Sequence, residues 1–552
     1  MLRKTLIAIA PVVIIVALPL IMRRDAVHDD PGAEQLVIVS PHNEAIRWEF
    51  ENAFQAYCRE QHGRNVDIDW RTPGGTSEIV RYLLDSYGAA FRQEWQRQGK
   101  EWSGEIGSAF LDRKLTQKDI VVDGKVKRKG ASPIAWEARQ AFLAGNAGVG
   151  IDILFGGGQY DSGKLAKQGV LVASGVRERH PEWFAGDAPI LSDGLSGEVW
   201  ADRGDRYYGA CLSSFGICYN FDRLAALGYN ADDPAALPAS WEDLADPRLF
   251  NQVGAADPTK SGSITKCFEM LIQQRMAQTV AAAGKDLSKE QTMAAVAQGW
   301  VEAMDLIRRI GGNSRYYTFS ASKVPVDVAR GNLAAGMCID FYGGTQAEWE
   351  QQHVGRETMR YVTPKGGSSI SADPIGILRG APNRELADLF MDFVLSPEGQ
   401  KLWNYRVGEP GGPRQYALRR PPIRRDMYTL EHRSHMSDSE AQPFALAAEF
   451  EYHGRWTGPL FGLIRVQLRA MIIDTHPELR RAWRAILDAG GPAAVPEAMQ
   501  ALRRLPFELA QAGEEAEHIR TAEERVFRTR AWGEFFRAAY LEAERLANAH
   551  AR

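Results

Sequence analysis

Five times along this chain a short apolar run ends in a small-residue loop, and a helical pattern begins directly after it. The loops are Ser40-Pro41-His42-Asn43, Pro73-Gly74-Gly75-Thr76-Ser77, Gly156-Gly157-Gly158-Gln159, Thr259-Lys260-Ser261-Gly262-Ser263 and Tyr342-Gly343-Gly344-Thr345. A strand–helix–strand rhythm dictates parallel sheet and α/β architecture. Each loop leaves free backbone N–H groups and small hydroxyls at the positive end of a helix, where an anion or polar ligand is stabilised. In open α/β sheets ligands bind outside the carboxyl ends of the strands. Five such loops predict a cleft that holds a solute, with few side chains built to transform it.

The first residues bear on where that cleft works. Arg3 and Lys4 precede an uncharged run from Thr5 to Met22, and Arg23 and Arg24 follow it. As a helix the run would rise about 27 Å, close to the roughly 30 Å core of a bilayer. Leu18-Pro19-Leu20-Ile21-Met22 offers no small-x-small cleavage site, so an uncleaved signal anchor over 1–24 is favoured over a cleaved signal peptide. Residues 25–34 read as a polar linker. The net charge of −4 in 552 residues gives no field that would gather nucleic acid. Five scattered cysteines form no C-x-x-C pair; Cys211 and Cys218 are either buried thiols, the favoured reading, or a bridge in an oxidising compartment.

Leu36–Ser40, Val66–Trp70 and Gly150–Phe155 read as strands, with helices over Asn43–Tyr57 and Ser77–Trp95. The stretch 99–130 reads as a surface insertion with a small hairpin from Asp119 to Lys127 about Asp123-Gly124. Ala210–Asn220 reads as one long strand and Tyr361–Ile377 as a glycine-rich return, the two candidate crossings between lobes. Leu333–Asp340 reads as a late strand that ends before Tyr342-Gly343-Gly344. Leu460–Ile473, His476–Leu487, Pro496–Ala512 and Glu514–Asn548 all carry helical periodicity. In the last of these, Trp532, Phe535, Phe536, Ala539, Tyr540 and Ala543 fall on one face, read as internal packing of a bundle. The cluster Arg419, Arg420, Arg424 and Arg425 reads as a solvated face.

Several segments together resemble the extracellular solute-binding proteins of bacterial ABC importers. They are Val37–Glu44, Ile151–Gly158, Pro238-Ala239-Ser240-Trp241-Glu242-Asp243-Leu244, Asp257–Gly262 and Leu395-Ser396-Pro397-Glu398-Gly399-Gln400. Within that class they are similar to the group spanning binders of ferric ion and of phosphorylated or phosphonate compounds. The resemblance covers roughly 35–430. It implies a two-lobed α/β periplasmic binding protein type II fold with crossing hinge strands. Lobe 1 would span 35–215, lobe 2 216–365, and 366–430 would return to lobe 1. An all-α extension over 431–552 lies outside the usual pattern. The resemblance also implies a permease and its ATPase subunits as partners, and a periplasmic, membrane-tethered location.

The ligand set that follows is His42, Asn43, Gly74, Gly75, Thr76, Ser77, Gly157, Gly158, Gln159, Ser213, Ser214, Thr259, Ser261, Gly262, Ser263, Asp340, Tyr342 and Gly343. Ferric binders of the group use an early His, a third-loop Glu and two adjacent Tyr. Here His42 matches, the third loop carries no carboxylate, and the late strand is followed by Tyr342 alone. That pattern weakens iron, with His42 and Tyr342 its only matched donors, and favours an anionic organic solute. No cofactor is implied. No P-loop, H-E-x-x-H or G-x-S-x-G is present, and His42-Asn43-Glu44 lacks the P-C-x-x-C of zinc deaminases, so the chain does not read as an enzyme. A sensor that keeps the binding lobes is the remaining alternative.

Overall fold

The computed structural model describes residues 32–120, 125, 127–128 and 131–550. The anchor expected over residues 5–22 lies outside the described residues; among these, no helix is long and apolar enough to cross a membrane. Two separate sheets organise the chain. The first is six-stranded, in the order Val66–Arg71, Glu34–Val39, Ile153–Phe155, Ser371–Leu378, Leu171–Val172, with Tyr208–Ser213 paired to one half of Ser371–Leu378. The second is five-stranded, in the order Ser314–Thr318, Val253–Ala256, Ala335–Ile339, Phe215–Asn220, Met359–Val362. The chain therefore passes between sheets twice, at Ser214 and again between Val362 and Ser371. This is the two-lobed arrangement with crossing strands that the resemblance implies.

Local chemistry explains the elements that reach the cleft. Helix Glu44–His62 starts where the Asn43 side chain accepts the Ile46 N–H, and it stops at Gly63, whose φ of 62° suits a left-handed cap. Its Ile46, Phe50 and Phe54 pack under the first sheet. Helix Gly262–Ala283 starts at Ser261, whose hydroxyl accepts the Ile264 N–H. Ser240 and Asp243 form a reciprocal capping box over Trp241–Ala245.

Three sequence expectations are corrected. Ala210–Asn220 is not one strand: it breaks at Ser214, because each half pairs in a different sheet. Tyr342 and Gly343 do not lie in a loop, since helix Asp340–Val354 begins directly after strand Ala335–Ile339. The hairpin expected at Asp119–Lys127 lies partly outside the described residues; within them the Lys127 N–H donates to the Asp119 carbonyl at 3.1 Å, after a 3₁₀ turn at Gln117–Asp119. The arginine cluster is not a solvated face, because Arg420 and Arg424 are buried among carboxylates and carbonyls. All five cysteines are free and buried, with Cys211 and Cys218 on strands of different sheets.

The C-terminal helices do not form a bundle apart. Helix His476–Asp488 packs on helix Lys289–Asn313 of the second lobe, where the Trp483 indole donates to Asn313 Oδ1 at 2.9 Å. Gly312 permits that approach, since a Cβ there would come within 2.5 Å of the indole ring. Buried Arg308 donates to the Arg504 carbonyl at 2.7 Å, and Arg503 pairs with Asp305 at 3.1 Å. In the last helix Trp532, Phe536, Ala539, Tyr540 and Ala543 are buried, and the Tyr540 hydroxyl donates to the Met471 carbonyl at 2.9 Å. The aromatic stripe is internal packing, with Phe535 only partly covered.

Candidate functional site

A cleft of about 1410 Å³ opens between the two sheets. The loops singled out in the sequence converge there. His42, Asn43, Gly74, Gly75, Thr76, Gly157, Gly158, Gln159, Ser261, Gly262, Ser263 and Tyr342 all line it. Ser77, Ser213, Ser214, Thr259, Asp340 and Gly343 do not. Ser77 accepts a hydrogen bond from Arg465, and Thr259 turns its hydroxyl to Asp257 at 2.6 Å. Gly343 packs against Tyr361, 2.7 Å from where its Cβ would lie. Ser213, Ser214 and Asp340 belong to the crossing beneath the cleft.

That crossing is a polar network. The Ser214 N–H donates to Asp340 at 2.7 Å, and its hydroxyl lies 3.1 Å from the Tyr361 hydroxyl and 3.0 Å from that of Thr363. Ser214 thus joins the outgoing strand to the second lobe's late helix and to the returning segment. Burial pushes the Asp340 carboxyl up to about 7, with Arg420 offsetting part of the penalty. One step away, Arg420 is fully buried, donates to Asp373 at 2.6 Å and also to the Ser213 hydroxyl, and lies 4.4 Å over the Phe341 ring. Burial opposes ionisation of Asp373, yet the Arg420 guanidinium outweighs it and holds the carboxyl at about 2.

His42 forms part of the cleft floor. Its ring meets Phe155 edge-on at 4.6 Å, and Nε2 is 3.7 Å from Asp373, too far for a hydrogen bond. Both ring nitrogens are buried without a hydrogen-bond partner. Burial pulls the imidazole below its ordinary value, so it is held neutral. Gly156 allows this placement: its φ is 95°, and a Cβ would sit 2.5 Å from His42 Nε2.

The walls of the cleft nearly touch at one point. A Cβ on Gly75 of the first lobe would lie 3.3 Å from the Lys260 carbonyl of the second, and Lys260 Nζ is 3.8 Å from Glu78. A second buried cluster lies at the far end. Lys266 Nζ is 2.8 Å from Glu198 and 3.1 Å from Glu269, and it lies 3.8 Å over the Tyr452 ring. Glu269 also accepts from Tyr452 at 2.8 Å and Thr457 at 2.6 Å. Burial disfavours the Lys266 ammonium, but the two carboxylates outweigh that and raise its pKa.

Eight basic side chains line the cleft (Arg81, Arg113, Lys114, Lys164, Lys167, Lys260, Lys266 and Arg465) against five carboxylates (Glu78, Asp161, Asp202, Glu269 and Asp373). Burial, followed by the neighbouring Arg113 and Arg465 charges, lowers the Lys164 pKa against the pull of Asp161. The wall is thus net positive, and several helices point their N-termini into it. Sequence reading missed Lys164, Lys266 and Arg420, which carry no motif. It also missed Tyr452, Phe461 and Arg465, which come from the extension. Among the described residues no three His, Cys, Asp or Glu side chains are grouped to hold a metal. Burial also raises the Tyr342 phenol.

Comparison with known proteins agrees with this architecture. Residues 191–415, from just before the first crossing through the second, match the family model of bacterial extracellular solute-binding proteins. The chain is 30% identical over 191 residues to an uncharacterised protein of Haemophilus influenzae, a match covering 35% of this chain and 45% of that one. It is 26% identical over 253 residues to the putrescine/agmatine-binding protein of Pseudomonas aeruginosa, covering 45% and 61%. These matches therefore span about half the length of the curated relatives. Among solved structures, the periplasmic binding protein AfuA from Actinobacillus pleuropneumoniae is 17% identical, covering 66% of this chain and 81% of that one at a TM-score of 0.40. Over residues 191–415 the chain is thus similar to the bacterial extracellular solute-binding proteins.

Proposed function

We propose that the chain is the solute-binding component of an ABC importer, which captures a small anionic solute between its lobes and presents it to a membrane permease. The observation that carries this reading is the charge of the cleft. Basic side chains outnumber carboxylates there, and the starts of helices Thr76–Arg97, Gln159–Gln168 and Gly262–Ala283 face the same space. Helix N-termini and a basic wall both stabilise anionic oxygen, and a phosphate or phosphonate uses many such donors at once. Of the carboxylates, Asp373 is paired with Arg420, and Glu269 with Glu198 holds Lys266, leaving Arg81, Arg113, Lys114, Lys164 and Lys167 among the cations that line the cleft. A solute that contacts both lobes favours the closed state by its differential affinity for it. Residues 5–22 would hold the protein at the periplasmic face of the inner membrane.

A diamine is the competing solute, because one relative is named a putrescine/agmatine-binding protein. The two readings separate in one experiment. Full-length protein in mild detergent is melted with inorganic phosphate, glycerol 3-phosphate and putrescine. A ligand at one hundred times its Kd adds about 2.7 kcal/mol to stability. A rise in melting temperature with the phosphates alone is expected. A rise with putrescine alone would overturn the anionic reading.

A further inference from the structure

The C-terminal extension reaches the cleft through helix Phe461–Leu468. Its Arg465 crosses to the first lobe, where Nη1 donates to Ser77 Oγ at 3.2 Å. The Phe461 ring, one turn earlier, lies 5.0 Å from the Tyr160 ring of the first lobe, and the Arg465 guanidinium stacks 4.7 Å from Phe461. On the second lobe a Cβ at Gly262 would come 3.5 Å from Arg465 Nη2. The guanidinium is therefore held among residues of both lobes and the extension.

Its surroundings satisfy it only in part: Ser77 accepts one hydrogen bond and Asp161 supplies an ion pair, while the binding edge makes no hydrogen bond. Nε and Nη2 form the edge of the guanidinium that grips a carboxylate or phosphate with two parallel hydrogen bonds. Both atoms are buried and have no hydrogen-bond partner. The nearest carboxylate, Asp161, is 3.7 Å from Nη2, beyond hydrogen-bond range. Ser77 and Gly262 stand in the first turns of long helices, Thr76–Arg97 and Gly262–Ala283, whose positive ends repel a cation. Lys164 and Arg113 line the same cleft. A buried cation set beside two helix starts and other cations, with a single carboxylate at ion-pair distance and no hydrogen bond on its binding edge, is suited to take the oxygens of an anion brought from outside. His42, 4% exposed in its side chain and unpartnered at both ring nitrogens, lines the same space.

We propose that Arg465, delivered by the C-terminal extension, is the residue that grips the oxyanion of the solute, so that selectivity for anionic ligands resides outside the two lobes. The inference rests on the solute-binding reading above and gives the extension a direct part in it. The helix that carries Arg465 continues to Arg469, which lies 3.7 Å from Asp257 and 3.4 Å from Thr259 of the second lobe but does not line the cleft. Arg469 therefore serves as a control for mere attachment of the extension.

The experiment is isothermal titration of the full-length protein with inorganic phosphate, for the native chain and for Arg465→Gln, Arg465→Lys and Arg469→Gln. Arg465→Gln is expected to weaken phosphate binding at least about tenfold, the size of a lost charged hydrogen bond. Arg465→Lys keeps the charge without the fork and should fall between. Arg469→Gln should bind as the native chain does. Unliganded Arg465→Gln should still melt in one cooperative transition, which keeps lost binding distinct from lost folding. Equal phosphate affinity in Arg465→Gln and the native chain would overturn the inference and leave the solute-binding reading intact. An equal loss in Arg469→Gln would also overturn it, by showing that the extension acts only as a strap. Failure of the native chain to bind phosphate while it binds putrescine would overturn both.

Discussion

Asp373→Asn is the substitution whose consequence the structure defines most fully. The carboxylate sits 2.6 Å from Arg420, a side chain with no exposure; once its charge is gone Arg420 keeps neutral acceptors and two aromatic faces, and its remaining counter-charge is the more distant Asp340. The Asp373 carboxyl is held at about 2 in the folded protein against an ordinary 3.8, a difference that corresponds to about 2–3 kcal/mol of stability at neutral pH. Leaving a buried cation without its anion raises the loss to about 3–5 kcal/mol. Because the folded value is depressed, this contribution is complete above the unfolded value near 4. It disappears as pH falls from about 4 towards 2. Urea denaturation of the native and variant proteins should therefore differ above pH 5, with a further pH dependence near 7 where Asp340 titrates beside the same Arg420, and converge in acid. The double variant Asp373→Asn with Arg420→Met should lose less than the sum of the two single losses, since no orphaned charge remains. Strict additivity, or a loss below about 1 kcal/mol for Asp373→Asn, would refute the claim that this pair secures the crossing.

Two further outcomes test the geometry. Gly75→Ala suits the local backbone, whose φ is −72°, but its Cβ would press on the Lys260 carbonyl at 3.3 Å. The fold should be unchanged while the closed state loses about 1–3 kcal/mol, read by calorimetry as weaker phosphate binding; unaltered affinity would show that the lobes do not close at this point. Trp483→Ala removes a fully packed indole and leaves Asn313 Oδ1 without its donor, so the melting transition should lose about 3–5 kcal/mol. A transition that stays in place would mean that the extension folds independently of the second lobe.

Much of this protein was legible in its sequence because the relevant signals are local. Apolar runs closed by Gly, Ser and Asn specify strand ends and helix starts, and a hydroxyl or carboxamide at a cap acts within three residues of itself. That is why Asn43, Gly74–Thr76, Gly157–Gln159 and Ser261–Ser263, which line one cleft, are recognisable in the sequence as strand ends and helix starts. The helical periodicity of the tail was equally readable, and so was the inward face of its last helix.

What the sequence could not decide depended on residues far apart in the chain. Nothing adjacent to Arg420 distinguishes it from Arg419 as the buried member, because its anion comes from Asp373 and its hydroxyl partner from Ser213. The break at Ser214 is likewise invisible locally: both halves are apolar, and only their pairing with Ser371–Leu378 and Ala335–Ile339 separates them. Arg465 carries no motif, and its place in the cleft arises because the last helices pack on Lys289–Asn313 and turn Phe461–Leu468 towards the first lobe. Backbone propensity and capping are decided within a few residues, whereas burial of charge is decided by whatever surface the fold brings against it. The sequence alone therefore determined that there would be a cleft lined with helix starts, and the tertiary structure decided which charges face into it.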